Sequence, residues 1–473
     1  MRLLQTLYRF INEKPYHKVL TVNGRTYTYA DIKENIDVWK LVLRRCGISP
    51  RYKVVVYMRD TLDFLGIYFA LCELDCIMIP LDVSTNEDTI PKVINSSKAN
   101  SVITLQELDL DEFKKTIPLS LGYTFYQTIY EKDVEYIQDN IMQMLYTSGT
   151  TGLPKCVMFS KENMANNILV LADALKLTEN DVIYTPISLM LPAALNTVLL
   201  PALLSGTRCF VSESTVPGSV LRNIIEQGVT VFFAVPFYYK LITASSLCTE
   251  DTWSKVRICL TSSAYLSEED FLNFYKKSKK GLHSIYCSSE AGTIAYNDAQ
   301  DIGSLRKFVG RPLNGCEVSL IDANAEGLGE IIVKGDMVSS KYYLNEELNK
   351  KVFCDGWIKT GDIGIIHENG YLEIKGRISE TINIAGHLVN PLEIEQVIMR
   401  NEVVKDVVAY KYRNIADNDM LGVKVVTRES ASISERDIIN YCESALPSYK
   451  VPKKVLFVDS VDTGRYGKKR RSI

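Results

Sequence analysis

Apolar and polar positions change their period at recognisable points along the chain. KVVVYM (53–58) is a short apolar run and predicts a strand, and TLDFLGIYFALCEL (61–74) is long enough for an apolar helix. CIMIPLD (76–82) predicts a second strand, and after a polar helix SVIT (101–104) predicts a third. The rhythm returns further on. DVIYTP (181–186), RCFV (208–211) and VTVFFAVP (229–236) predict strands; AALNTVLLPALL (193–204), for most of its length, and SVLRNIIEQ (219–227) predict helices. Strands that are apolar on both faces and alternate with helices predict doubly wound α/β structure, and two such stretches predict two sheets.

From about 305 to 375 the pattern shortens to strands set between glycines, GEIIVKG and GYLEIKG, which predicts a small, antiparallel, barrel-like β part. Beyond about residue 379 the strands KDVVAYKY, LGVKVVT and KVLFVD, with a helix near 433–445, predict a small α+β module. Its first helix has a strong start in Asn390-Pro391-Leu392-Glu393, with Asn as N-cap, Pro in the first turn and Glu reaching back. A chain of 473 residues exceeds one typical core. The expected division is a domain over 1–378 and a second over 379–473.

Composition narrows the function classes. A net charge of −3 gives no general pull toward nucleic acid or a membrane surface. No apolar run approaches the ~18 residues of a spanning helix. The N-terminal MRLLQTLYRFINEK mixes charges into its apolar residues, unlike a signal peptide, so a cytoplasmic location is expected. Eleven cysteines and four histidines (His17, His283, His367 and His387) do not cluster, and the nearest pair, Cys72 and Cys76, has no second pair beside it. A zinc site is not expected; reduced, mostly buried thiols are.

The stretch YTSGTTGLPKC (146–156) has the composition of a phosphate loop but not the Walker pattern. Gly149 and Gly152 are only three apart, and Lys155 follows three residues later without a Ser or Thr behind it. Thr147, Ser148, Thr150 and Thr151 supply hydroxyl donors, while the two glycines let backbone N–H groups come close to phosphate oxygens. Taken alone, the same residues could form a ligand-free turn. Likewise an isolated Asp362 in KTGD reads as a turn residue, and Lys468 in GRYGKKRR reads as part of a solvated basic tail.

The order of motifs changes that. YTSGTTGLPK, YCSSEAG (286–292), GEIIVKG, KTGD, GRISETINIAGHLVNPLEIE (376–395) and GKKRR follow one another over nearly the whole chain. The set resembles the adenylate-forming superfamily of acyl-CoA synthetases, aryl-CoA ligases and carrier-loading adenylation domains. The resemblance implies that the 147–155 loop holds the β- and γ-phosphates of ATP, that Tyr286 stacks on adenine, and that Ser289 keeps a hydroxyl near the α-phosphate. It implies Glu290 as the Mg²⁺ ligand, Asp362 on the ribose hydroxyls and Arg377 on ribose or phosphate.

Lys468 matches the family's C-terminal lysine. A carboxylate attacking an anionic α-phosphate meets repulsion of about 4 kcal/mol per charge pair at ~4 Å and an effective dielectric of ~20, and an ammonium between them offsets it. The implied reaction makes an acyl-adenylate and pyrophosphate, then transfers the acyl group to a thiol, of CoA or of a carrier protein's phosphopantetheine. Between the steps a mobile C-terminal domain turns about Ser379 and brings in the loop around Gly386. Lys469, Arg470 and Arg471 are expected to be solvated surface.

The chain departs from the family pattern in places. Ser379 replaces the usual Asp or Lys, Cys156 stands where a Gly often closes the phosphate loop, and TSSAYL (261–266) is not Gly-rich, with Tyr265 in place of a common Pro. Asn383 and Ala385 stand where plant-type aryl ligases often carry lysine. These departures motivate a second reading, a nucleotide-binding scaffold with impaired turnover. A Walker ATPase or a kinase is weaker, because their catalytic sets are missing.

Amino-acid-activating relatives hold the α-ammonium with an Asp in a stretch that corresponds here to TPISLMLPAALNT (185–197), which has no acid. A buried ammonium without a partner is costly, so the expected substrate is a carboxylic acid lacking an α-amine. Met190 or Leu191 takes the place of an aromatic gate, and Ile285 narrows the pocket where aryl ligases often have Gly. Ala291 is a further candidate for its lining; Phe232, Phe233, Tyr238 and Tyr239 serve either pocket or core. The expected acceptor is CoA, or a carrier protein loaded in trans, since no fused carrier domain is expected.

Overall fold

The computed structural model describes the chain apart from residues 1, 120–121, 131–139, 148–154, 340, 385–386, 415–417, 429–432, 463–470 and 472–473. Two large sheets carry the first unit. One runs in the order Arg311–Pro312, Gly292–Tyr296, Leu282–Ser288, Ile258–Thr261, Val231–Phe233, Val182–Tyr184, Arg208–Val211, Lys18–Val22 and Arg25–Thr28. Its six central strands, Leu282–Ser288 through Lys18–Val22, are parallel to one another. The other sheet centres on the parallel strands Lys53–Tyr57, Ile77–Leu81 and Ser101–Thr104.

Burial on both sheet faces explains the unbroken apolar runs. Every residue of Lys53–Tyr57 and Ile77–Leu81 is buried. The edges differ from the parallel expectation: Arg25–Thr28, Gly292–Tyr296, Thr124–Thr128 and Lys155–Ser160 pair antiparallel. Arg25–Thr28 and Gly292–Tyr296 follow their partner strands after two and three residues, and hairpin partners need only such a tight turn.

The helix expected over 193–204 is interrupted. It consists of Pro192–Ala194, a π-helical turn Leu195–Leu199 and Leu200–Ser205. Pro201 has no N–H to offer the carbonyl of Thr197, and a locally wider turn accommodates the missing rung.

By compactness the chain divides into Met1–Val235, Tyr239–Val318 and Val333–Ile358 on one side, and Pro236–Tyr238, Ser319–Ile332 and Lys359–Ile473 on the other. A smaller sheet contains Cys316–Ile321, Gly329–Gly335, Trp357–Ile366 and Phe353–Cys354, and Leu372–Arg377 pairs antiparallel with Trp357–Ile366. The second unit also holds the sheet Val404–Arg413, Asp419–Thr427, Lys454–Phe457, with helices Pro391–Met399 and Glu435–Ala445 over a core that includes Ile394, Ile398, Val407, Leu421, Val423 and Ile438.

Asn390 caps Pro391–Met399 as expected, accepting from the Leu392 N–H at 3.0 Å. Glu393 does not reach back. Its carboxylate meets Lys450 Nζ at 2.7 and 2.8 Å, and a charge-assisted bond draws it away from the cap. Among the described residues no helix is long and apolar enough to cross a membrane.

Candidate active site

The Ser-, Thr- and Gly-rich stretch is flanked by paired strands. Ile141–Thr147 and Lys155–Ser160 are antiparallel, with Thr147 opposite Lys155 and Tyr146 opposite Cys156. A Walker loop instead leads from a strand into a helix, so the flanking structure differs as well as the spacing. Ser148, Gly149, Thr150, Thr151 and Gly152 lie outside the described residues, as does the Thr147 side chain. Lys155 is described, with Nζ 5.9 Å from the centre of the Tyr342 ring.

Cys156 alternates to the opposite face from Lys155, as strand geometry requires. It packs with Val55, Ile79, Met144 and Met158, and burial pushes its thiol up to about 12. The Gly-to-Cys departure therefore fills core beneath the loop. A lysine reaches the same core through Tyr343. Lys53 is fully buried, and its ammonium donates to the Tyr343 hydroxyl at 2.9 Å.

Ser289, Glu290 and Ala291 form the turn between Leu282–Ser288 and Gly292–Tyr296. Three outside contacts fix that turn. The buried Asn167 accepts from the Thr293 N–H at 2.7 Å and donates to the Met337 carbonyl at 2.9 Å. The Ser339 N–H donates to the Glu290 carbonyl at 2.8 Å. Gly292 has φ of 65°, and a Cβ there would lie 1.9 Å from Asn167 Nδ2, so any other residue would be strained and would displace the Asn167 amide. The Tyr342 hydroxyl donates to Glu290 Oε1 at 2.5 Å. Tyr342 sits on the edge strand Lys341–Tyr342, opposite Val157. Sequence reasoning missed Asn167 and Tyr342; nothing in their local pattern marks them, because both act through contacts more than 50 residues away in the chain.

Tyr286 is buried beside this turn. In the neighbouring loop, Ser263 is exposed and has φ of 74°, a conformation that favours glycine. The 261–266 loop thus has a left-handed turn with Ser where glycine would be relaxed. Ser263→Gly is expected to stabilise the chain by up to about 1 kcal/mol, read as a higher urea midpoint; a lower midpoint would contradict this account.

Of the candidate pocket residues, Met190, Phe233, Ile285 and Ala291 are buried and Leu191 is half-buried. Phe232 and Tyr239 belong to an aromatic cluster with Tyr184, Trp253 and Phe274, which places them in the core; Tyr238 is half-buried. An acid does reach the acid-free stretch, from outside it. Asp82, buried at the end of Ile77–Leu81, accepts from the hydroxyl of Ser188 and from the backbone N–H and hydroxyl of Ser84. Those donors hold the loop that leads to Met190.

In the second unit, Asp362 and Arg377 are directly opposite across Trp357–Ile366 and Leu372–Arg377. Arg377 Nε donates to Asp362 Oδ1 at 2.6 Å, and the carboxylate is almost fully buried while the guanidinium is half-exposed. Thr360 shapes the turn: its hydroxyl donates to the Ile331 carbonyl at 2.7 Å and accepts from the Asp362 N–H at 3.1 Å. Ser379 lies in the single turn Ile378–Glu380. Lys468 and Gly386 lie outside the described residues, as do Lys469 and Arg470. Arg471 does not fit the solvated-tail expectation: its side chain is 19% exposed and paired with Glu380 and Glu395, because two carboxylates draw it inward.

Among the described residues no group of three or more His, Cys, Asp or Glu could hold a metal ion. A lone anchored carboxylate, Glu290, suits a cation that arrives already bound to phosphate.

The profile of the AMP-binding enzymes matches residues 7–343, and that of the AMP-binding enzyme C-terminal domain matches 393–468. The chain belongs to this family of AMP-binding, adenylate-forming enzymes. It is 25% identical over 491 residues to a probable CoA ligase of Humulus lupulus, covering 96% of this chain and 92% of that protein. It is 25% identical over 494 residues to the oxalate–CoA ligase of Arabidopsis thaliana, covering 97% and 95%. The ATP-bound MatB of Rhodopseudomonas palustris has a similar fold, with a TM-score of 0.85, 22% identity and coverage of 98% and 96%.

Proposed function

We propose that the chain is an AMP-forming ligase that activates a carboxylic acid lacking an α-amine and passes the acyl group to CoA. In the first step the carboxylate oxygen bonds to the α-phosphorus of ATP and the bond to the bridging oxygen breaks, giving acyl-AMP and pyrophosphate. In the second a thiolate bonds to the acyl carbon and AMP leaves. The observation that carries the reading is the turn Ser289-Glu290-Ala291, locked from three sides within a chain of this family. Glu290 would hold Mg²⁺ with the nucleotide's phosphates, where the ion offsets their negative charge. Asp362, steadied by Arg377, would take the ribose hydroxyls, and Lys468, the last residue matched by the C-terminal profile, would supply the charge at the α-phosphate.

Two near-full-length relatives named as CoA ligases support CoA as acceptor. The acid-free 185–197 stretch supports an amine-free acid, because the Asp82 carboxylate that reaches it is engaged by Ser84 and Ser188. Turning between steps about Ser379, with the boundary of the domains there, belongs to the same proposal. Incubation with ATP, Mg²⁺, CoA and a panel of acids is expected to yield AMP and thioester in equal amounts with at least one acid. ATP binding without product across the panel would favour the impaired-turnover reading; product only with a phosphopantetheinylated carrier would replace CoA as acceptor.

A further inference from the structure

Residues 185–191 join the strand Val182–Tyr184 to the helical turn Pro192–Ala194, and from 185 to 190 all but the half-buried Ser188 are buried. Connections usually run over a protein's surface, because a buried one must find partners for its backbone polar groups. This one finds two within itself. The Ile187 N–H donates to Thr185 Oγ1 at 3.2 Å, and the Leu191 N–H donates to the Ser188 carbonyl at 3.2 Å. A third comes through the Ser188 hydroxyl, which accepts from the Met190 N–H at 3.4 Å and donates to Asp82 Oδ2. Asp82 is 4% exposed, and its other oxygen accepts from the Ser84 N–H at 2.9 Å and from the Ser84 hydroxyl. One oxygen thus fixes the carboxylate beside its own strand while the other reaches 106 residues along the chain to Ser188.

This link joins the carboxyl ends of strands from both large sheets. Asp82 directly follows Ile77–Leu81 in one sheet, and the 185–191 connection follows Val182–Tyr184 in the other. Ile77–Leu81 runs parallel to Ile141–Thr147, so Asp82 and Thr147 lie at the same end of their sheet. Ligands of open α/β sheets bind outside the carboxyl ends of the strands. Hydrogen bonds to a carboxylate are shorter and about twice as strong as neutral ones, which suits a contact that must hold a loop in place. Asp82 therefore ties the end of one sheet to the backbone of Met190 beyond the end of the other.

We propose that Asp82 is a positioning residue for the acid pocket: through Ser188 it fixes the backbone at Met190 and so sets where the bound acid stands relative to the nucleotide. This role rests on the proposed ligase reaction and on Met190 as pocket lining. The test follows acid-dependent exchange of pyrophosphate into ATP in Ser188→Ala and Ser188→Thr, with acid and ATP titrated separately. Ser188→Ala removes the hydroxyl that carries the link and leaves Asp82 on Ser84. KM for the acid is expected to rise about tenfold, the scale of a lost hydrogen bond to a charged group, with KM for ATP unchanged. Ser188→Thr keeps a hydroxyl and is expected to recover most of that loss. An unchanged KM for the acid, or equal rises for acid and ATP, overturns the proposal, as does Ser188→Thr behaving like Ser188→Ala. If Ser188→Ala does not fold, Asp82→Asn keeps the side chain's size and removes its charge; the same split between acid and ATP is expected, and its absence overturns the proposal. No exchange in the wild type with any acid would instead sink the ligase reading, and this role with it.

Discussion

Lys468→Ala is expected to lower acid-dependent pyrophosphate exchange by roughly a hundred- to a thousand-fold, the usual cost of removing one preorganised charge or donor from a transition state. The reason is electrostatic. The attacking carboxylate and the α-phosphate are both anions, and the barrier between them is highest as the new bond forms. A positive charge that bridges the two acts more strongly there than in the ground state, so its loss falls on the rate of adenylation more than on acid or nucleotide binding. Thiol attack on a finished acyl-adenylate does not have that repulsion. Transfer from supplied acyl-adenylate is therefore expected to survive the substitution. Losses of equal size in both half-reactions would mean that Lys468 is needed for the fold or for nucleotide binding, and exchange at the wild-type rate would remove it from the chemistry.

Alternating apolar runs made the parallel centres of both sheets legible, because a strand buried on two faces leaves no other pattern: Lys53–Tyr57 and Ile77–Leu81 are buried throughout. What pattern could not show was pairing direction at the edges, or the π turn at Leu195–Leu199, where a single Pro201 changes the backbone within an otherwise helical run. The family was legible through the order of its motifs along the chain. Residues that hold those motifs were not. Tyr342, Asn167 and Arg471 earn their places through contacts 52, 126 and 76 residues away, and distance in sequence erases any local signal. Burial also redirected single readings. Cys156 interrupts a loop motif in the sequence and fills core in the structure, while Arg471, basic tail by composition, is an anchored ion pair.

Tyr342 makes the second large expectation specific. Glu290→Ala removes the carboxylate proposed to meet Mg²⁺ beside the nucleotide's phosphates, and exchange is expected to fall roughly a hundred-fold or more. Tyr342→Phe keeps the ring that stands edge-on to Phe353 and beneath Lys155, and removes only the hydroxyl that donates to Glu290. Groups that orient a metal ligand from behind typically contribute 10–100-fold to metal affinity or activity. In the proposed site the hydroxyl would also keep the carboxylate aimed in one direction, so that a cation would meet a preset ligand and would not have to order a free side chain. Exchange in Tyr342→Phe is thus expected to fall about tenfold, with a matching rise in the Mg²⁺ concentration needed for half-maximal rate. A readout that does not depend on turnover is the binding of Mn²⁺ with ATP, followed by its paramagnetic resonance signal. Weaker Mn²⁺ binding in both variants, stronger in effect for Glu290→Ala, would agree with this arrangement. Unchanged Mn²⁺ binding in Glu290→Ala would place the cation elsewhere, and unchanged binding in Tyr342→Phe alone would reduce the short contact to packing.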